Sequence, residues 1–487
     1  MNRSGAILLT ILLLSISCTQ KKETLDKYRS IYHFTPASCW MNDPNGLIYK
    51  DGEYHLYFQA NPQGDQWGNM TWGHAVSSDL VHWEQKDFVI YPDSLGAIFS
   101  GSCVLDQHNT AGFGEDAIVA IYTSASDDNQ CESIAYSLDN GYSFTKYDGN
   151  PVLDKGLRDF RDPKVMRFGE KWIMTLAVGQ CVEFYSSDNL KEWTFESSFG
   201  EGWGCHDGVW ECPDLFQIGE TWCLIVNVNP GAPSGGSGTQ YFLGSFDGHK
   251  FHAKGTRTAR WLDYGKDHYA AVTWSNVPDG RVICLAWMDN WQYAASIPTT
   301  GWRGFNSLPR ELFVAKRDGL EFLASRPVRE VESLRSAKKE YPSFRIMDNE
   351  DYNISSLIED NTGAFEVVLR YADFHSDFAG FKLYNTEGDY VDFCINLIEN
   401  KFSIDRYHSG LVDFSNDFPC RTETTIRPED SYDFRIFVDV SSIECFCDGE
   451  TVLTNLVFPS SPLNRINFYS RGGDCSVGEL IIYNLAQ

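Results

Sequence analysis

Three acidic residues in this sequence stand directly beside a proline or a Cys-Pro pair. They are Asp43 in Asn42-Asp43-Pro44, Asp162 in Arg161-Asp162-Pro163 and Glu211 in Glu211-Cys212-Pro213. Taken singly, an Asp before Pro is typical of a turn. Together, two carboxyl groups that flank a glycosidic bond can act as nucleophile and general acid, because burial and neighbouring negative charge raise the pKa of the acid. Glycoside cleavage therefore requires that the fold bring these residues together.

Repeats in the sequence predict short strands that could do so. Four segments each combine a strand, an Asp-centred turn and an aromatic residue, and their Asp residues lie 60, 49 and 59 positions apart. A spacing of this size is expected for propeller blades. Hairpins with a Gly turn precede three of these segments, which predicts pairs of antiparallel strands. The turn residues are Asp79, Asp139, Asp188 and Asp247, and the hairpins span residues 51–57, 168–174 and 218–225.

These patterns predict an all-β protein with a five-bladed β-propeller followed by a C-terminal β-sandwich. We expect the propeller at residues 30–325, with its fifth blade drawn from Asp263 to Arg310, and a linker at 326–340 near a short helical stretch. Residues 341–487 alternate short strands with Asp, Asn and Gly turns, which is typical of a sandwich. Because the innermost strands of a propeller surround one axial channel, carboxylates far apart in sequence can converge there.

The N-terminus predicts export. Arg3 precedes an apolar run from Ala6 to Ile16, too short to span a membrane comfortably and typical of a signal peptide at residues 1–17. The following Cys18 stands where a bacterial lipoprotein signal has its lipidated residue, so we predict a lipid anchor at Cys18 and a polar tether at 18–29. The expected location is a membrane-anchored lipoprotein facing the periplasm or the cell surface. The alternative is an ordinary secretory signal.

The charge and cysteine content of the chain limit which ligands and partners it can bind. The 487 residues include 40 Lys and Arg against 67 Asp and Glu, and this net charge of −27 repels nucleic acid and anionic lipid but not a neutral sugar. Aromatic residues reach 14%. Setting Cys18 aside leaves thirteen of the fourteen cysteines, without a regular disulfide framework. Cys205-His206 with Cys212 lacks the partners that complete a tetrahedral metal site, so buried thiols are the favoured interpretation.

Several blocks, in order, resemble glycoside hydrolase family 32, the β-fructosidases that include invertases, inulinases and levanases. The resemblance covers nearly the whole chain beyond the signal, although residues 57–62 are a variant of the family's tyrosine-rich block. The blocks are Trp40-Met41-Asn42-Asp43-Pro44-Asn45-Gly46, Phe99-Ser100-Gly101-Ser102, Phe160-Arg161-Asp162-Pro163-Lys164-Val165, Trp210-Glu211-Cys212-Pro213-Asp214, Gly301-Trp302-Arg303-Gly304, Leu308-Pro309-Arg310-Glu311-Leu312 and, in the sandwich, Asp439-Val440-Ser441-Ser442-Ile443-Glu444-Cys445-Phe446.

The resemblance implies a retaining double displacement on a terminal fructosyl unit. Asp43 attacks the anomeric carbon, Glu211 is acid and then base, and Asp162 binds hydroxyls and stabilises the transition state. It implies that Arg161 keeps Asp162 ionised, and that no metal or organic cofactor is required. The implied sugar contacts are Asn42, Gln59, Trp67, Ser100 and Trp291, and Phe99 is expected to form a pocket wall with the two tryptophans.

Other functions remain open on sequence. Inverting arabinan- or xylan-degrading enzymes share five-bladed propellers with two Asp and one Glu, and a lipid-anchored, non-catalytic fructan-binding protein is the alternative from another class. The Asn42-Asp43-Pro44 block favours exo action over endo-levanase or endo-inulinase action. The sequence leaves open the choice between β-2,1 and β-2,6 linkages, and whether the sandwich is a structural partner or binds carbohydrate.

Overall fold

The computed structural model describes residues 27–357 and 362–486. The predicted signal peptide, Cys18 and most of the tether lie outside the described residues. Within them the chain forms strands and two short 3₁₀ helices, and the predicted five-bladed β-propeller with a C-terminal β-sandwich is confirmed. Among the described residues, no helix has the length and apolar character needed to cross a membrane.

Five sheets form the propeller blades. Blade I contains β1 (Cys39–Lys50), β2 (Glu53–Asn61), β3 (Thr71–Ser77) and β4 (Glu84–Ile90); blade II contains β5 (Ala97–Asp106), β6 (Ala117–Ala125), β7 (Gln130–Ser137), β8 (Thr145–Lys146) and β9 (Leu153–Leu157). Blade III contains β10 (Phe160–Phe168), β11 (Lys171–Val178), β12 (Cys181–Ser187) and β13 (Thr194–Phe199). Blade IV contains β14 (Val209–Ile218), β15 (Thr221–Asn229), β16 (Gly238–Phe246), β17 (Phe251–Lys254) and β18 (Arg260–Trp261); blade V contains β19 (Tyr269–Thr273), β20 (Val282–Trp287), β22 (Arg310–Arg317) and β23 (Leu320–Pro327).

The fifth blade differs from the segment expected for it. It begins at Tyr269 and continues to Pro327, because the loop after β20 leaves the blade before the chain returns as β22 and β23. That loop contains the 3₁₀ helix Ala294–Ser296 and β21 (Trp302–Arg303). The last two strands of this blade were missed because their sequence lacks the Asp-centred repeat.

The innermost strands β1, β5, β10, β14 and β19 form a closed ring around the axis, each packed against its two neighbours. The junction between blades V and I is reinforced by β21, which pairs in parallel with β1 so that Cys39 lies opposite Trp302. The Cys39 N–H donates to Gly301 O at 2.9 Å. Arg303 fixes the closing loop, since its guanidinium donates to Ala295 O at 2.7 Å and to Asp65 O at 3.2 Å.

In the turns between the third and fourth strands of blades I to IV, an Asp or Asn side chain accepts hydrogen bonds from backbone N–H groups. Asp79 accepts from the Val81 and His82 N–H groups in blade I, and Asp247 accepts from His249 and Lys250 in blade IV. Such Asx turns tie the backbone without a ladder partner. In blade III the acceptor is Asn189 and not the predicted Asp188.

Two sheets form the sandwich. The first contains β24 (Arg335–Tyr341), β36 (Cys475–Leu485), β27 (Phe365–Ala372), β32 (Tyr432–Asp439), β33 (Ser442–Cys447) and β34 (Thr451–Leu456), with β25 (Phe344–Ile346) beside β36. The second contains β26 (Asp351–Ile354), β35 (Arg465–Arg471), β28 (Phe378–Tyr384), β29 (Tyr390–Asn396), β30 (Lys401–Asp405) and β31 (Arg421–Thr425).

Alternation along the strands builds the sandwich core. In β29, Val391, Phe393 and Ile395 are buried while the residues between them are only half-buried, as expected for a strand with one face inward. Residues 335–340, expected in the linker, instead belong to the edge strand β24. The segment between the last blade strand and this edge strand is therefore residues 328–334, which contain the 3₁₀ helix Arg329–Leu334.

The propeller and sandwich meet across a buried group of charges, here called the interface cluster: His33, Asp263, Arg310, Asp439 and Glu444. Arg310 is paired with Asp263 at 2.8 Å and with Glu444, while His33 lies 2.9 Å from both Asp439 and Glu444. Burial acts to lower the pKa of His33, but the hydrogen bonds to these two carboxylates outweigh it and raise that pKa to about 9. Ion pairs thus join the two domains.

Candidate active site

Irregularities in the inner strands determine which side chains reach the axis. Each of the five inner strands shifts register against its neighbour within its first few residues, and a bulge of this kind bends a strand and redirects a side chain. The shifts lie between Met41 and Pro44, Ile98 and Gly101, Arg161 and Lys164, Glu211 and Asp214, and Tyr269 and Val272. The three predicted carboxylates all belong to these segments.

Asp43 is held by donors from two blades. The Ser100 hydroxyl donates to Asp43 Oδ2 at 2.7 Å, and the Asn42 amide donates to Oδ1 at 3.0 Å. The Cys212 thiol lies 3.5 Å from Oδ2. Both carboxyl oxygens of Asp43 therefore have a hydrogen-bond donor, although the residue remains partly accessible to solvent.

Asp162 lies next to the same thiol, 3.6 Å from its sulfur, and accepts from the Cys212 N–H at 2.9 Å. Its φ of +65° is a left-handed conformation that non-glycine residues rarely adopt. The Asp162 N–H has no ladder position there and donates to Thr123 Oγ1 at 2.9 Å. Asp162 is 5% exposed, so its carboxyl group is nearly enclosed.

Glu211 has a donor at each oxygen. Arg161 Nε and Nη2 donate to Oε1 at 3.2 and 3.1 Å, and the Tyr269 hydroxyl donates to Oε2. Arg161 Nε is 4.0 Å from Asp162 Oδ2, so the guanidinium contacts Glu211 more closely than Asp162. Asp43, Asp162, Glu211 and Arg161 are called the axial cluster below.

Burial and the neighbouring charges of the axial cluster shift the pKa values of Asp43 and Asp162. Burial raises the pKa of Asp43, and the charge of Glu211 adds to this against the lowering effect of the Ser100 hydrogen bond. Burial, opposed by Arg161 and reinforced by Glu211 and Asp43, raises the pKa of Asp162 to about 7. Arg161 thus acts on the pKa of Asp162 in the expected direction, while burial and the two neighbouring carboxylates act against it. Strong perturbation of this kind is typical of functional sites.

A chain of hydrogen bonds leads from Gln59 to Asp43. With the Asn45 amide oriented to satisfy its neighbours, its oxygen accepts from the Gln59 N–H and Nε2 at 3.0 and 3.1 Å, and its nitrogen donates to Ser100 Oγ at 3.2 Å. Ser100 in turn donates to Asp43. The predicted contacts Gln59 and Ser100 thus lie together with Asp43, and Asn45 connects them.

The predicted aromatic contacts Trp67, Phe99 and Trp291 belong to two groups of ring contacts. Trp67 is 51% exposed, and its ring makes an edge contact with Phe99 at 6.1 Å between centroids. Trp291 stacks on the buried Trp40 at 5.9 Å, and the Trp40 Nε1–H donates to Asn42 Oδ1 at 2.7 Å. Trp67 and Phe99 therefore form one aromatic group, and Trp291 and Trp40 form another. The second group is linked by the Trp40 hydrogen bond to Asn42, the residue that precedes Asp43.

Three residues that contact the axial cluster were not predicted from the sequence. Tyr269 contacts Glu211, Gln130 accepts from Arg161 Nη1 at 3.1 Å, and Thr123 accepts from the Asp162 N–H. None carries a motif, and each acts on a residue from another blade. For Tyr269 a signal existed, because it begins the inner strand of the fifth blade as Asp43 and Asp162 lie near the start of theirs.

Two other features lie apart from the axial cluster. A cavity of about 920 Å³ is lined by later residues of the inner strands, among them Lys164, Leu215 and Thr273. Within residues 27–357 and 362–486, no group of His, Cys, Asp and Glu is arranged to hold a metal, and the thirteen cysteines there are free thiols. His206 Nε2 contacts Gly200 O and Trp203 O at 3.0 and 2.9 Å, so it has backbone partners.

Comparison with known families decides the class of protein. Residues 33–327 match the N-terminal domain of glycosyl hydrolases family 32, and residues 330–484 match the C-terminal domain of the same family. The chain belongs to glycosyl hydrolase family 32. This confirms the resemblance seen in the sequence blocks, and it identifies the chain as a glycoside hydrolase built on the family's propeller and sandwich.

Individual members of family 32 match along most of the chain. A levanase from Bacillus subtilis is 43% identical over 482 residues, which cover 94% of this chain and 71% of that protein. An extracellular exo-inulinase from Aspergillus awamori is 36% identical, covering 94% of this chain and 95% of that protein. The structure of a fructofuranosidase from Schwanniomyces occidentalis complexed with fructose superposes with a TM-score of 0.88 at 32% identity, covering 95% of this chain and 99% of that one.

Proposed function

We propose that this chain is a retaining β-fructosidase that removes terminal fructose from fructans, fructo-oligosaccharides and sucrose. The observation that carries the proposal is the axial cluster, in which three carboxylates from three blades come together. The Cys212 thiol contacts Asp43 and Asp162, and the Arg161 guanidinium contacts Glu211 and lies 4.0 Å from Asp162. The similarity to a levanase and to an exo-inulinase supports a fructan as the substrate class.

In the first step, Asp43 attacks the anomeric carbon C2 of the fructosyl unit. Glu211 gives its proton to the glycosidic oxygen, and the C2–O bond breaks with its electron pair on that oxygen. The hydrogen bonds from Ser100 and Asn42 support this role, because they orient the carboxylate before substrate arrives. Such pre-orientation reduces the cost of reaching the reactive geometry.

In the second step, Glu211 takes a proton from water, the water oxygen bonds to C2 and the Asp43–C2 bond breaks. Asp162 binds the ring hydroxyls and stabilises the oxocarbenium-like transition state. Its nearly enclosed position supports this role, since a charge acts more strongly where water is excluded. Neither of these two chemical steps uses a metal or an organic cofactor.

The remaining predicted residues bind the sugar. Asn42, Gln59 and Ser100 contribute amide and hydroxyl groups from the hydrogen-bonded chain that ends at Asp43, and Arg161 contributes charge. Trp67, Phe99 and Trp291 offer flat apolar surfaces suited to sugar C–H groups. We propose exo action, because the Asn42-Asp43-Pro44 block favours it and because the two aromatic groups, one of which is hydrogen-bonded to Asn42 through Trp40, are suited to enclosing a chain end. Endo-levanase action is the alternative.

The experiment that tests the proposal is a product time course on inulin, levan and sucrose. Free fructose as the sole early product supports exo hydrolysis, and a ladder of short oligosaccharides would replace it with endo action. Release of arabinose or xylose from their polymers, without fructose, would favour the inverting enzymes. Binding of inulin without any product would leave a fructan-binding protein.

The stereochemistry needs a separate measurement. Hydrolysis in the presence of methanol traps the product as a methyl fructofuranoside, whose anomeric configuration is read by NMR. A double displacement gives the β-anomer, and a single displacement gives the α-anomer. Azide should also partly restore turnover of Glu211→Ala on a substrate with a good leaving group, because this anion attacks C2 without a general base.

We also propose that residues 1–17 direct export and that Cys18 carries a lipid anchor. The proposed domain division is a tether at 18–29, the catalytic propeller from residue 30, and the sandwich after the connecting segment. Expression in a bacterium, followed by fractionation, tests the anchor: the wild-type protein partitions with membranes and Cys18→Ala does not. A wild-type protein found only in the soluble fraction would reject it.

A further inference from the structure

The two oxygens of Glu211 have chemically different partners. Oε1 accepts from two N–H groups of Arg161, and Oε2 accepts from the Tyr269 hydroxyl. The three residues come from blades III, IV and V. Glu211 is the one hydrogen-bond partner of the Tyr269 hydroxyl within the part of the chain that the structure describes.

This difference decides which oxygen can carry a proton. A guanidinium only donates, so a proton on Oε1 would face two N–H groups. A tyrosine hydroxyl both donates and accepts, and it reverses its direction by rotating about its C–O bond. Of the two oxygens, Oε2 is therefore the one that can hold a proton while both partners stay in place.

The Tyr269 ring is held firmly enough for this exchange. Its side chain is 1% exposed, and its ring makes an edge contact with Trp287 at 6.5 Å between centroids. Tyr269 stands at the bulge of β19, where the next residue, Ala270, has a φ of +54°. The backbone thus departs from the regular strand at the point that turns this hydroxyl toward Glu211.

We propose that Glu211 Oε2 carries the catalytic proton and that Tyr269 is the positioning residue that holds it. The hydroxyl accepts from Oε2–H before cleavage and donates to the carboxylate once the proton has left. This inference rests on the acid and base role proposed for Glu211 and adds an atom and a partner to it.

The proton and electron pairs balance in both steps. In the first, the Oε2 proton moves to the glycosidic oxygen, which takes the electron pair of the breaking C2–O bond, while C2 bonds to Asp43. Tyr269 then rotates to donate to Oε2. In the second, a water proton returns to Oε2, the water oxygen bonds to C2, and the Asp43–C2 bond gives its electron pair back to Asp43.

The test is Tyr269→Phe, assayed on inulin and on 4-nitrophenyl β-fructofuranoside, whose leaving group needs little protonation. We expect kcat/KM to fall about 10- to 100-fold on inulin and to change by less than about threefold on the aryl substrate. The hydrogen bond that the hydroxyl donates to the ionised carboxylate is charge-assisted and stronger than the one it accepts from the neutral acid, so losing both should move the alkaline limb of the pH profile upward by about one pH unit. A merely structural role would not produce that shift.

The matched control is Tyr57→Phe. Tyr57 is also fully buried in the propeller, but its hydroxyl donates to Gly141 O at 2.8 Å, away from the carboxylates. We expect both pH profile and substrate preference to stay unchanged in this variant. Equal losses on both substrates for Tyr269→Phe, or an unmoved alkaline limb, would overturn the proposal.

Two further variants close the remaining gaps. If Tyr269→Phe does not fold, 3-fluorotyrosine at position 269 replaces it; its more acidic hydroxyl donates more strongly and should move the alkaline limb downward, and an unmoved limb would contradict us. Glu211→Gln tests the underlying function separately. Full activity of Glu211→Gln on inulin would reject the acid role of Glu211 itself. If Glu211→Gln loses activity while Tyr269→Phe keeps the wild-type activity and pH profile, only the role of Tyr269 is rejected.

Discussion

The axial cluster and the interface cluster each hold three carboxylates, but their charges are compensated differently. In the interface cluster, Arg310 and His33 neutralise most of the charge, and backbone N–H groups such as those of Ile31 and Leu308 add hydrogen bonds. In the axial cluster, one guanidinium is present for three carboxylates, and it pairs with Glu211 and, at 4.0 Å, with Asp162. The carboxylates of the interface cluster are paired with cations and join the two domains. Those of the axial cluster have fewer cations beside them, which suits groups that take part in chemistry.

The pKa shifts follow the same division. Burial acts to raise the pKa of Glu444, but Arg310 and His33 outweigh it and lower that pKa to about 2. Asp439 is likewise lowered, mainly by His33 against the effect of burial. In the axial cluster the pKa values of Asp43 and Asp162 are raised. Removing a charge should therefore have opposite consequences for stability in the two clusters.

The largest effect is expected for Asp43→Asn. The amide keeps the shape but cannot attack C2, so kcat should fall by about four orders of magnitude or more. The midpoint of unfolding should stay the same or rise, because a repulsive charge is removed from the axis. Steady-state kinetics and a urea titration measure the two quantities. Asp247→Asn, in the exposed turn between β16 and β17, is the matched control; a stability loss in Asp43→Asn alone would contradict the comparison.

A smaller effect, of opposite kind, is expected for Glu444→Gln. This change leaves Arg310 and His33 buried with one carboxylate fewer, and breaking a buried pair costs about 3 kcal/mol of unfolding free energy. We expect a lower urea midpoint with kcat and KM little changed at 25 °C. The control Glu311→Gln breaks the exposed pair with Arg326, which is worth about 1 kcal/mol or less. Similar midpoints for the two variants would mean that the interface cluster does not stabilise the protein.

The smallest effect is the pH dependence of the interface cluster. The pKa of His33 is raised to about 9 in the folded protein from 6.5, so its contribution is fully present below about pH 6.5 and is lost as the pH rises through about 9. We expect wild type to be more stable than His33→Gln at pH 6, with the difference shrinking by pH 10. Urea midpoints of both proteins at pH 6, 8 and 10 measure this; a constant difference would speak against a protonated His33.

Sequence was informative where a local pattern existed. The Asp-centred turns and Gly hairpins predicted the blades, and prolines beside Asp43, Asp162 and Glu211 drew attention to the segments that form bulges. The fifth blade was drawn too short because β22 and β23 lack the repeat. Local patterns therefore predicted the architecture better than the boundaries.

Long-range partners were beyond sequence reasoning. Tyr269 and Glu211 are 58 positions apart, and His33 and Glu444 are 411 apart. Nothing in either neighbourhood specifies the other, since these contacts depend on how blades and domains close on one another. Burial was also unpredictable for aromatic residues: Trp40 and Trp210 are core residues beside the carboxylates, whereas Trp67 is half exposed.

The parallel pairing of β21 with β1 joins distant parts of the chain, so we expect the site to form late in folding. Closing that contact joins residues about 260 positions apart, which costs about 5 kcal/mol of chain entropy before the ring is complete. Asp43 lies on the strand that this contact secures, and Tyr269 on the blade that brings it. Without this contact we expect Asp43 and Tyr269 to be held less precisely, so hydrolysis regained during refolding should lag behind the recovery of strand content.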